Sequence, residues 1–182
     1  MISIRSEMSD IDTNALDPLL LALSEQLAAR QVSFHLAVIG GSGLLAMGLG
    51  DRPTQDVDVV AFVEQGELVM ASPFPAELTG AAEGVSRDFG LTANWLNAGP
   101  TRLLEIGGLP SGFADRLTTA EYGTALTVSF ASRFDQVQLK LYALADRQEP
   151  RDEADLRRLA PTPEELLAGA EWARTHKCSR TI

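Results

Sequence analysis

Apolar positions recur along this chain with two different spacings, and the switches between them outline its elements. Asp17-Pro18 reads as a cap followed by a first-turn proline, so a Leu- and Ala-rich helix is expected from Pro18 to Arg30. Phe34 to Ile39 is a short apolar run ending at Gly40-Gly41, which predicts a buried strand. Ser42 to Met47 allows only a short helix, stopped by Gly48, Gly50 and Pro53. Asp56 to Val63 predicts a second strand, with Val57, Val59, Val60 and Phe62 supplying β-branched and aromatic content. Pro73 and Pro75 open a helical stretch from about Ala76 to Asp88. Leu91 to Thr119 shows no sustained period, and its Gly, Pro and Asn residues predict loops around short elements. Thr124 to Phe130 alternates as a strand does. From Phe134 to Arg147 the period is helical. Val137, Leu141 and Leu144 should face the core, and Lys140, Ala143 and Arg147 share another face. Thr162-Pro163-Glu164-Glu165 is a capping box that starts a last helix.

This order predicts one α/β (α+β) domain, a small mixed sheet flanked by helices. Its core is expected over about 31–132, with a helical C-terminal part over about 133–182. An apolar content of 45% and a charged content of 22% fit a globular core. The formal net charge of -10 changes the functional picture more. Proteins that grip free nucleic acid usually present a basic face, and the only lysines here are Lys140 and Lys177. A broad nucleic-acid footprint is therefore not expected, whereas a small substrate with metal-screened phosphates suits the charge. The single cysteine, Cys178, permits no intrachain disulfide, as in a reducing compartment. The N-terminal residues lack a signal-peptide layout, and the longest uncharged stretch, Leu36 to Gly50, is too short and glycine-rich to span a membrane. A soluble cytoplasmic protein is expected.

The chemistry-bearing stretch is Ile39-Gly40-Gly41-Ser42 followed by Arg52-Pro53-Thr54-Gln55-Asp56-Val57-Asp58-Val59. Two residues apart in a strand, Asp56 and Asp58 project from one face. Carboxylates held together in this way repel, and a hard divalent cation such as Mg²⁺ relieves the repulsion. Metal ions so placed clamp the oxygens of a phosphoryl displacement. The Gly40-Gly41-Ser42 turn lets the backbone approach a phosphate, with the Ser42 hydroxyl and the helix N-terminus as donors.

A Gly-Ser opening a helix, followed about a dozen residues later by Asp-x-Asp on a strand, resembles the signature of the nucleotidyltransferase superfamily. Arg52 and Thr54 just ahead of Asp56-Val57-Asp58 make the run similar to the AbiEii toxin branch. So does the later helical lysine, Lys140, followed by Arg147 and Arg151-Asp152-Glu153-Ala154-Asp155. The resemblance covers roughly residues 34 to 62 and 134 to 159. It implies that Gly41 and Ser42 meet nucleotide phosphates, that Asp56 and Asp58 bind metal and act in catalysis, and that Lys140 contacts the nucleotide. It also implies that Asp152 orients or activates the acceptor, with Asp155 as the rival for that role. The implied activity is Mg²⁺-dependent transfer of a nucleotidyl group from a nucleoside triphosphate to an acceptor hydroxyl. A cognate antitoxin is the implied protein partner, and RNA as acceptor is disfavoured by the net charge. One departure is that many relatives carry a third carboxylate on a later strand, and Thr124 to Phe130 has none.

Other readings use the same residues. Without the third carboxylate, the chain reads alternatively as an inactive nucleotide- or protein-binding module. Gly41-x-Gly43-x-x-Ala46, with Glu64 about 20 residues on, imitates a dinucleotide-binding fingerprint, although the helix after the turn is short for a parallel crossover. Asn94-Trp95-Leu96-Asn97 reads as a core tryptophan flanked by turn residues, and neither His35 nor His176 has a partner at metal-ligand spacing.

Overall fold

The computed structural model describes residues 10–176; Cys178 lies outside them. The chain folds as α1 (Thr13–Ala29), β1 (Phe34–Ile39), α2 (Gly40–Ala46), β2 (Val57–Glu64), β3 (Glu67–Val69) and α3 (Ala76–Phe89). A two-residue strand β4 (Leu96–Asn97), a 3₁₀ turn over Gly99–Arg102 and the short helix α4 (Leu103–Ile106) follow. A second 3₁₀ turn (Ala114–Arg116), β5 (Thr118–Tyr122), β6 (Leu126–Phe130), α5 (Arg133–Arg147), α6 (Pro150–Leu159) and α7 (Pro163–Arg174) complete it. No helix among the described residues is long and apolar enough to cross a membrane.

The strands form one mixed sheet in the order β3-β2-β1-β6-β5, with β4 also pairing to β2. β1 runs parallel to β6 and antiparallel to β2. That antiparallel pairing removes the dinucleotide-fingerprint reading. α2 is seven residues long and returns the chain as an antiparallel neighbour, so there is no parallel crossover for a dinucleotide to straddle. Alternation along the strands loads both faces. Leu36, Val38, Val57 and Val59 pack toward α1 and α3, whereas Ala37, Ile39 and Val60 pack toward α5 and α7. A third cluster of Leu44, Val137, Leu156 and Leu159 ties α2, α5 and α6 together.

Two expectations are corrected. α1 begins five residues before Pro18, because Asp12 rather than Asp17 caps it, its Oδ1 accepting from Asn14 N and Ala15 N at 2.9 Å each. Asp17 instead accepts from the Tyr122 hydroxyl at 3.1 Å. The Asn94-Trp95-Leu96-Asn97 segment is more than turn residues around a core ring. Trp95 is fully buried with its indole N–H donated to Ala82 O, and Leu96 and Asn97 pair in parallel with Val57 and Asp58. The capping box at Thr162 forms as expected, with both reciprocal bonds present.

Two glycines make the junction of β1 and α2 narrow. Gly40 has φ +76, a left-handed conformation that side chains disfavour. Gly43 lies so close to α5 that a Cβ there would sit 2.5 Å from Gln136 Nε2. Gln136 in turn brackets Gly40, accepting from its N–H at 3.2 Å and donating to its carbonyl at 3.4 Å. Gly43→Ala must therefore displace Gln136, and a cost of about 1–3 kcal/mol is expected from overpacking. Urea unfolding of the variant should show a lowered midpoint with an unchanged slope.

Candidate functional site

The cleft that gathers the polar residues opens on the α5 face of the sheet and has a volume of about 740 Å³. That is the size range of small-molecule sites. Gly40, Asp56 and Asp58 form one wall, Lys140 and Arg147 of α5 another, and Asn97, Gly99 and Arg102 a third. The face of α5 that carries Lys140, Ala143 and Arg147 thus looks into the cleft, while Val137 is buried against α2 and α6.

Each carboxylate is held by its own strand environment. Asp56 lies one residue ahead of β2, and Thr54 Oγ1 donates to its Oδ1 at 3.1 Å. Thr54 is itself pinned by a two-bond bridge to Ile11, with Ile11 N donating to Thr54 O at 2.7 Å and Thr54 N to Ile11 O at 2.9 Å. Asp58 sits in register with Ile39 on one side and Asn97 on the other. Asn97 Nδ2 donates to Asp58 Oδ1 at 3.0 Å, and Asn97 Oδ1 accepts from Gly99 N at 3.1 Å, which fixes the amide's orientation. The other oxygen, Oδ2, lies where a Cβ on Gly40 would come within 2.5 Å. Burial first and the Asp56 charge second push the Asp58 carboxyl above its ordinary value, against the Asn97 hydrogen bond and the charges of Lys140 and Arg147.

The cationic wall rests on a buried ion network. Lys140 Nζ reaches Asp152 Oδ1 at 3.1 Å and Asp155 Oδ2 at 2.8 Å. Arg147 meets Asp152 Oδ2 at 3.0 Å, and Arg52 forks onto Asp155 at 3.0 and 2.7 Å. Asp152 is fully buried and does not line the cleft; it holds Lys140 and Arg147 from behind. Burial raises the Asp155 carboxyl, but the hydrogen bonds and charges of Arg52 and Lys140 outweigh it and leave it below its ordinary value. An ammonium has three donors, so one N–H of Lys140 remains beyond the two carboxylates.

Ser42 and Gly41 lie behind Gly40 and are not part of the cleft lining. Gly41 abuts Thr54, where a Cβ would meet Oγ1 at 2.9 Å. The Ser42 hydroxyl is buried and has no hydrogen-bond partner among the described residues. Six polar cleft residues escaped sequence reasoning: Asn94, Asn97, Arg102, Gln136, Tyr142 and Asp146. Gln136 was within reach, since it lies four residues before Lys140 on the same helical face. Asn97 and Arg102 sit in a segment with no period to place them. The histidines are structural: His35 Nε2 pairs with Ser129 Oγ at 2.7 Å, and His176 packs on Trp172 and contacts Gly108 O at 2.7 Å.

The two carboxyl shifts predict opposite pH signatures. Asp58 binds its proton more readily folded than unfolded, so its ionisation destabilises the fold as pH rises past the ordinary carboxylate range. Asp58→Asn should therefore stabilise the protein at neutral pH, with the gain vanishing in acid. Asp155 behaves conversely: its contribution is present above the unfolded value and lost as pH falls through the lowered folded one. Asp155→Ala should cost about 3 kcal/mol at pH 7, because it takes the paired carboxylate from Arg52 and leaves Lys140 with Asp152 alone. That gap should shrink in acid, as read by urea unfolding across a pH series.

No family model matches this chain, and no curated protein matches it. Among solved structures it is similar to an antigenic nucleotidyltransferase-like protein from Paracoccidioides brasiliensis, at 15% identity and a TM-score of 0.47, over 94% of this chain and 98% of that one.

Proposed function

We propose that the cleft binds a nucleoside triphosphate with Mg²⁺, and that the protein moves its nucleotidyl group to an acceptor hydroxyl. The observation that carries this reading is the pairing of Asp56 and Asp58 across one cleft from Lys140 and Arg147. The cleft's charges balance, with Asp56, Asp58 and Asp146 against Arg102, Lys140 and Arg147. A bare triphosphate, a multiple anion, gains little from such a wall. A divalent cation on the Asp56 and Asp58 oxygens fits the donor set, relieves their mutual repulsion and turns that wall toward phosphate. When bound, it would screen the triphosphate and draw charge from the reacting phosphoryl group.

The chain's own residues then divide the work. Asn97 and Thr54 hold the two carboxylates in place. Lys140 offers its remaining N–H to a phosphate oxygen, and Asp152 and Asp155 fix where that N–H points. In the transfer, the acceptor oxygen bonds to the α-phosphorus as the bridging bond to the β-phosphate breaks. Pyrophosphate leaves with the electron pair, and the hydroxyl proton passes to solvent. Asp152 is a positioning residue in this scheme, because its burial keeps it from any acceptor.

Ser42 supplies a separate argument. A buried hydroxyl without a partner costs about 1–3 kcal/mol, a cost removed if the turn at Gly40 shifts on binding and lets a phosphate oxygen reach Ser42, which does not line the cleft of the free protein. Ser42→Ala should then raise the stability of the free protein by about 1 kcal/mol and weaken Mg-triphosphate binding about 10-fold. Thermal unfolding and calorimetry on the same variant read the two effects.

A second reading, nucleotide binding without transfer, is favoured by one observation: no group of three His, Cys, Asp or Glu side chains suited to a metal forms among the described residues. The AbiEii resemblance adds a toxin role with a cognate antitoxin, which co-expression with neighbouring open reading frames would test. Calorimetry should show triphosphate binding only with a divalent cation and at least about 10-fold weaker in Asp56→Asn, the equivalent of about 1.4 kcal/mol. No binding with or without the cation would remove both nucleotide readings, and equal affinity in the two conditions would remove the metal-dependent transfer. Binding with no label transferred to any acceptor in cell extract would favour the second.

A further inference from the structure

A second cleft of about 510 Å³ adjoins the first and shares Asn94, Asn97, Gly99 and Arg102 with it. The shared wall reaches the Asp58 carboxylate directly, because Asn97 donates to it. The far side is apolar, with Met70, Phe74 and Leu96. Ser72, Ala98 and Thr101 also line it, and its charged groups are Arg102 and Glu105. Both are exposed, and neither makes a side-chain hydrogen bond or ion pair with a described residue. This sets Arg102 apart from Arg52, Lys140 and Arg147, whose charges are met by Asp152 and Asp155. An unmet cation and an unmet anion on one wall, over an apolar floor, complement a ligand that carries both charges and a hydrophobic side.

We propose that this second cleft binds a small amphipathic zwitterion of the amino-acid type, its carboxylate on Arg102 and its ammonium on Glu105. Resting on the triphosphate reading of the first cleft, this ligand lies beside the triphosphate, with Asn97 between the two sites. A cleft of this size suits a free small molecule and not a polymer, in keeping with a net charge of -10 that gives RNA no general footing.

The test uses the full chain with ¹³C-methyl-labelled methionine and ¹⁵N-labelled asparagine, followed by NMR. L-Phenylalanine, L-methionine and L-leucine are titrated, with the anion 3-phenylpropionate and the cation phenethylamine as single-charge controls. At least one amino acid should shift the Met70 methyl and the Asn94 side-chain amide saturably, and more tightly than either control. Arg102→Gln and Glu105→Gln should each weaken it by at least about 5-fold, near 1 kcal/mol, while the control Arg157→Gln, an exposed change that touches neither cleft, leaves it in place. The proposal is overturned if no amino acid gives a saturable shift. It is equally overturned if a single-charge control binds as tightly, or if either variant binds like the parent. Mg-triphosphate is titrated in parallel. If it fails to bind while the amino acid binds, the first-cleft reading falls and the second cleft stands as a binding site alone. If only the amino acid fails, this inference falls by itself.

Discussion

Everything at the site depends on how closely the turn between β1 and α2 can approach β2. Gly40 leaves room for the Asp58 carboxylate, Gly41 for Thr54, and Gly43 for the Gln136 amide. Three side chains from two elements thereby press against one short turn. A methyl group at any of the three would force one of them away. The seam fixes the spacing between the Asp58 carboxylate and the start of α2, and through Thr54 it also fixes Asp56. The glycine run serves this close packing as much as any approach to a ligand, since only Gly40 of the run lines the cleft.

Electrostatics set against that seam give the cleft its character. Asp58 carries its charge at a cost, because it is buried against Gly40 and faces the charge of Asp56, which the Asn97 hydrogen bond only partly offsets. Across the cleft, Lys140 and Arg147 are held by buried aspartates that also engage Arg52 from the chain segment just ahead of β2. The network therefore links α5, α6 and the approach to β2, which are the elements that frame the cleft. Ion pairs this buried contribute little net stability against an apolar alternative, yet breaking one partner is expensive. Their structural effect is to fix where two cationic groups point, while the carboxylates opposite stay available for a cation.

What the sequence disclosed and what it concealed divide along physical lines. β1, β2, α3 and α5 were legible because each runs long enough for apolar periodicity to show, and the Thr162 box because capping is local chemistry. The segment from 91 to 119 was not legible. β4 has two residues, and its place is set by backbone pairing with Val57 and Asp58, which leaves no side-chain period. β5 is an edge strand with mostly exposed positions, so Thr118–Tyr122 lacks the apolar content that marks a strand. At the site, Asp56 and Asp58 could be singled out by residue type and spacing and Lys140 by the family resemblance, and all three line one cleft. Burial could not be foreseen. The family resemblance offered Asp152 to the acceptor, and only the packing of α6 on α5 shows that it is enclosed behind Lys140. Asn97 depends on pairing across 39 residues of chain, a distance no local pattern spans.

The central claim is that Asp56 and Asp58 hold a divalent cation that carries a triphosphate into this cleft. Crystals grown with Mn²⁺ and a non-hydrolysable nucleoside triphosphate test it most directly, because manganese can be located by its anomalous scattering. The account predicts a peak within coordination distance of both carboxylates, with phosphate oxygens extending toward Lys140 and the Ser42 hydroxyl. Manganese and nucleotide bound elsewhere, or a nucleotide in the cleft with no metal at Asp56 and Asp58, would contradict it.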